Sequence, residues 1–153
     1  LKIGLKNLIP SNDQKDLQFY FGNIDVRFHF KRFGGIKAID KLLDEYGSQL
    51  VDLKKQGYSI KLTHLIPIES ELRKIPGTGK YKGQNFFGTR EERTQYVNYF
   101  NTCLNNFSLA YGFDIARWDK LNYNELSFDD MESKQSVHLR PSSYMNFDKL
   151  KTN

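Results

Sequence analysis

Cysteine is nearly missing from this chain. Cys103 is the only one in 153 residues, which excludes an internal disulfide framework and a cysteine-based zinc site and fits a reducing, cytoplasmic compartment. No apolar run approaches the length that spans a bilayer, and no secretory signal pattern opens the chain, so no membrane partner is expected. Internal repeats and low-complexity tracts are lacking too, which makes residues 1–153 a single domain. With 39% hydrophobic and 14% aromatic residues, it can bury a substantial core. The run "GTGKYKG", Gly77–Gly83, lacks the GxxxxGK[ST] pattern of a phosphate loop and reads as a flexible basic loop. No cofactor is indicated.

Acidic residues are outnumbered. The formal net charge is +5, which favours anionic partners such as nucleic acid, acidic glycans or an acidic protein. The basic residues are dispersed, with small groups at Lys31–Arg32, Lys54–Lys55, Arg73–Lys74 and Lys80/Lys82. Most such groups simply solvate a surface.

Several elements can be read from pattern. "LQFYFGNIDV", Leu17–Val26, reads as a buried strand running into a glycine turn at Gly22, since a short apolar run bounded by turn residues suits a strand covered on both faces. From Ile36 to Leu53, apolar residues recur at helical spacing among Lys, Asp and Glu; Gly47 weakens the pattern inside and Gly57 closes it. "YSIKLTHLIPI", Tyr58–Ile68, has a period near two, with Ile60, Leu62 and His64 on one side, until Pro67 ends it. A long basic loop over 69–88 comes next, of a length that suits function or partner contact. Thr89 and Glu92 then form a capping box, opening a helix with Tyr96, Tyr99, Phe100, Cys103, Leu104 and Phe107 inward and Gly112 at its end. Cys103 on that inward side is a structural thiol rather than a nucleophile. "GFDIARW", Gly112–Trp118, reads as a third strand, and "SVHL" near the end as a strand end or helix start.

Strand, helix, strand, helix, strand is the order of α/β packing on a short, mainly parallel sheet. Ligands of such sheets bind at the carboxyl ends of the strands. His29, His64 and His138 could therefore gather at one rim. In extended backbone Asp25, Arg27 and His29 would share a face, where His serves as a general base, Asp orients it and Arg holds an anion. The structural alternative is an internal Asp25–Arg27 salt bridge beside a hydrogen-bonded surface His29. Asp25, His29, His64 and His138 are all chemically able to bind zinc or iron, yet no HExxH-like spacing supports a metal.

"FYFGNIDVRFHF" resembles the strand-and-turn block of a branch of the SGNH (GDSL-like) hydrolases. "LTHLIPI", "GTREERTQYVNYFNTCL", "GFDIARW" and "SVHL" succeed it in a similar order, so the likeness covers roughly Leu17 to Leu139. It implies a three-layer α/β/α domain whose active members hydrolyse esters, often acetyl groups on carbohydrates, with a serine nucleophile and a histidine base. By that likeness His138 matches the base, Gly22 the backbone oxyanion donor with Asn23 beside it, and Asp25, Arg27 and His29 a polar cluster at the site, with His64 nearby. The chain departs from the pattern at three places: it has no Gly-Asp-Ser, Ile24 stands where the oxyanion asparagine belongs, and Gln135 replaces the carboxylate before the terminal histidine.

Three accounts are open. The chain starts at Leu1 rather than methionine, so it can be the later part of an SGNH-like hydrolase whose nucleophile lies upstream or on a second chain. It can instead be a catalytically degenerate module that binds a carbohydrate or acyl-ester ligand, or docks an acidic protein partner. Or the likeness is accidental, and this is a small basic α/β protein that binds nucleic acid or phosphate.

Overall fold

The structure, a computed structural model, describes residues 4–9, 15–68 and 75–117. Its elements in chain order are β1 (Asp16–Phe19), α1 (Asn23–Phe28), α2 (Ile36–Lys55), β2 (Ser59–Thr63), α3 (Arg90–Tyr111) and β3 (Asp114–Ala116), with short 3-10 turns at Leu5–Leu8 and Lys31–Phe33. The strands form one parallel sheet in the order β1-β2-β3. The α/β class and the parallel sheet are thus as the sequence implies.

Both crossovers step the sheet in the same direction. Right-handed connections of that kind lay their helices on the same face, and α2 and α3 do pack on each other. Leu17, Phe19, Ile60, Leu62 and Ile115 alternate onto that face and join the core. The opposite face carries Gln18, Ser59, Lys61 and Asp114, with Gln18 Nε2 donating to Thr63 Oγ1 at 2.9 Å. The described residues therefore hold the sheet and one helical layer of the expected three-layer arrangement.

Helix α2 presents Ile39, Leu43, Tyr46, Leu50 and Leu53 to the sheet, steps of four and three that keep one stripe inward. Gly47 lies in that stripe for a reason the pattern hides: a Cβ there would meet Phe107 Cζ of α3 at 2.7 Å. The absent side chain is what lets the two helices approach. Helix α3 opens on the capping box read from the sequence, with Glu92 N–H donating to Thr89 Oγ1 (3.2 Å) and Thr89 N–H to Glu92 Oε2 (2.9 Å). The Glu92 carboxylate also pairs with Lys31, which holds its carboxyl below the usual range. Gly112 ends the helix in the left-handed region at φ 66°. Phe21, Phe30 and Phe100 meet in an aromatic knot between α1 and α3.

Two expectations need correction. The first strand stops at Phe19, and after the expected Gly22 turn Asn23–Phe28 is helix rather than extended backbone. Gly22 makes the change, with φ 104° and a carbonyl that accepts from Val26 N–H at 3.0 Å. β-branched Ile24 and Val26 favour a strand locally, but burying Val26 and Phe28 overrides that preference. The second strand is shorter than Tyr58–Ile68, because cross-strand bonding ends with His64 N–H donating to the Ala116 carbonyl at 3.0 Å and the chain to Ile68 continues buried but irregular.

Candidate functional site

Because Asn23–Phe28 is helical, Asp25, Arg27 and His29 do not share a face, contrary to the extended reading. Positions four apart on a helix face each other, while one two residues on points away. Asp25 and His29 accordingly pair, with Asp25 Oδ1 and His29 Nδ1 at 2.8 Å. Arg27 turns inward, is 7% exposed, and donates from Nη1 to the Asn23 carbonyl at 2.7 Å. The Asp25–Arg27 salt bridge is therefore replaced by an Asp25–His29 bond.

The ring of His29 is engaged on both nitrogens. Its Nε2 lies 2.9 Å from the Tyr81 hydroxyl. As a carboxylate Asp25 only accepts, so Nδ1 carries the proton and Nε2 of the neutral ring accepts from Tyr81. This assigns an Asp–His–phenol relay, in which the carboxylate fixes the tautomer that leaves Nε2 basic. Asp25 and His29 side chains are each about a third exposed, at 32% and 29%, so solvent or a ligand reaches them.

Tyr81 reaches His29 because its loop is docked, not free. The Tyr81 ring stacks on Phe28 at 4.1 Å between centroids. Phe87 N–H donates to the Arg27 carbonyl at 2.9 Å, and Phe86 sits between the guanidiniums of Arg27 and Arg93, at 5.8 and 5.0 Å. The loop's neck is closed by Gly83 N–H donating to the Pro76 carbonyl at 2.9 Å. Of the expected basic loop over 69–88, residues 69–74 lie outside the described residues. The rest folds onto α1, with Gly77–Lys80 as its exposed tip.

Gly22 caps α1 at the carboxyl edge of β1, and Asn23 is the first residue of that helix. A side chain at Gly22 would be tight, since a Cβ would meet Phe100 Cζ at 3.1 Å and Leu65 Cδ2 at 3.3 Å. His64 comes directly after β2 at the same edge but has separate partners. It is 6% exposed, and its Nε2 lies 2.9 Å from Asn105 Oδ1 on α3, so Nε2 is the donor. Burial pushes its pKa down, with the Asn105 bond opposing and the Arg117 charge adding to the shift. Beside it Asn101 clasps Leu65, accepting from its N–H at 2.8 Å and donating to its carbonyl at 3.3 Å. His64 is thus a packed, hydrogen-bonded residue of the β2–α3 seam. His138 lies outside the described residues. Among the described residues no group of three or more His, Cys, Asp or Glu could hold a metal ion.

Asp25 and His29 line a cleft of about 590 Å³ whose floor includes Phe30 and Leu42 and whose far wall is α2. It shares Leu42 and Glu45 with a second cavity of about 530 Å³ lined by Phe19 and Phe21. Sequence reasoning missed Tyr81, Lys37 and Lys41, the last two of which also line the first cleft. Reading Asp25–His29 as a helical four-residue spacing would have found the pair; nothing local to Tyr81 marks it as the ring's partner. Compared with known proteins, the chain matches no family model, no curated protein and no solved structure.

Proposed function

We propose that this chain is an SGNH-like α/β domain that binds a carbohydrate or acyl-ester ligand at the carboxyl edge of β1. On this proposal it hydrolyses an ester only where a serine nucleophile is supplied from outside the described residues. The observation that carries the proposal is the Asp25–His29 pair, delivered by the Gly22 turn to the end of a strand and open to a cleft. Carboxyl edges of parallel strands are where α/β domains place ligands. The one-directional order β1-β2-β3 also suits half of a doubly wound sheet.

The relay supports binding by this chain over turnover by it. The group on His29 Nε2 is the Tyr81 phenol rather than a serine hydroxyl, and a base needs a nucleophile to activate. A ligand hydroxyl or a water replacing Tyr81 would find the ring already in the accepting tautomer. Saturation-transfer NMR with an acetylated xylo-oligosaccharide tests this on the native chain and on His29→Ala. Binding that is lost in the variant while melting is unchanged supports the proposal. Equal binding by both proteins, or none by either, overturns it.

A further inference from the structure

The cleft's far wall carries charge that the relay does not use. Lys37 and Lys41 stand one turn apart on the same face of α2 and both line the cleft. Among the described residues neither has a salt-bridge partner. At the cleft's edge the ring of Phe33 is 68% exposed, 6.0 Å from the His29 ring between centroids. Asp25 adds a carboxylate to the lining.

We propose that this cleft binds an acidic sugar, a carbohydrate unit bearing a carboxylate; the assignment rests on the proposed function, which takes the cleft as the ligand site. Each wall answers to one part of such a ligand. The Phe33 ring offers an apolar platform for the C–H face of a sugar ring. Carboxylates accept from hydroxyls, so Asp25 suits the ring's hydroxyl groups. The paired ammonium groups of Lys37 and Lys41 suit its carboxylate. A neutral sugar would leave the two lysines unused. The net charge of +5 draws an anionic glycan toward the surface in the first place.

A matched pair of ligands separates the carboxylate from the rest of the sugar: 4-nitrophenyl β-D-glucuronide and 4-nitrophenyl β-D-glucoside, titrated by NMR into the full chain at low salt. The glucuronide should bind roughly three- to tenfold tighter, the range for exposed charge pairs, and lose that advantage as salt is added. Lys37→Gln/Lys41→Gln, both at exposed positions and so expected to fold, should bind the two ligands alike. Lys80→Gln/Lys82→Gln, in the basic loop, should keep the preference. If the native chain binds both ligands equally and His29→Ala loses both, the acidic-sugar assignment fails while the cleft remains the ligand site. If neither ligand binds, or the preference survives in the Lys37/Lys41 variant, the assignment is overturned.

Discussion

Replacing Gly22 by alanine should unsettle the turn that creates the candidate site, and the size of the effect can be worked out. Gly22 and Gly34 have nearly the same backbone twist, φ 104° and 106°. An L-residue there pays left-handed strain of about 1–2 kcal/mol. Alanine also stiffens the unfolded chain, which returns about 0.4–1 kcal/mol. Around Gly34 a new Cβ meets nothing within 4 Å, so Gly34→Ala should cost about 1 kcal/mol or less. Around Gly22 the Cβ would press on Phe100 at 3.1 Å and Leu65 at 3.3 Å. Overpacking a core adds about 1–3 kcal/mol, so Gly22→Ala should cost about 2–4 kcal/mol. That is a large share of the roughly 5–15 kcal/mol that holds a domain together. Urea denaturation followed by the helical circular dichroism signal measures both variants. A Gly22→Ala protein no less stable than Gly34→Ala would refute the packing of this turn against α3 and the rest of β2's carboxyl edge.

Two further outcomes are expected. Gly47→Ala should destabilise even though alanine is worth about 1 kcal/mol more in a helix than glycine, because its Cβ would lie 2.7 Å from Phe107 Cζ. Thermal melts of Gly47→Ala made alone and in a Phe107→Leu background check this, and a destabilisation of equal size in both would refute the contact. His64 has a folded pKa below its ordinary 6.5. The unfolded chain therefore takes up the proton first, and this contribution to stability, complete above 6.5, is lost as pH falls from there toward the folded value. Denaturation at about pH 7.5 and about pH 5.5 should show a larger loss for the native chain than for His64→Gln, and parallel losses would show that His64 titrates alike in both states.

The parts of this fold legible in the sequence are those that local chemistry decides. The Thr89–Glu92 box sits on its own four residues, and the stripes of α2 and α3 repeat often enough to declare their period. Gly22 was legible as a turn but not as the start of a helix, because Ile24, Val26 and Phe28 alternate like a strand and only the burial of Val26 and Phe28 decides otherwise. That single difference recast the site: it separated Arg27 from Asp25 and joined Asp25 to His29. Tyr81 lay beyond reach for another reason. Its bond to His29 spans 52 residues, and it depends on Phe86 and Phe87 pinning the loop to Arg27, a long-range arrangement with no periodic signal. Gly47 looked like a flaw in α2 because its partner, Phe107, belongs to another helix.

The closed neck of the loop has a consequence for how this chain can change. Pro76 and Gly83 meet through one backbone hydrogen bond, and Phe86 and Phe87 anchor the chain on its way to α3. Within the neck, Gly77–Lys80 are exposed. Lengthening the tip at Thr78–Gly79 adds only the slow entropy of a larger ring, about 0.6 kcal/mol for each doubling. The tip is thus a place where insertion, tagging or drift in sequence is cheap, while a few residues on, Tyr81 stays in register with His29. Variation and constraint are adjacent in the chain, both inside the ring that the Pro76–Gly83 bond closes, with Tyr81 held by Phe28 and His29.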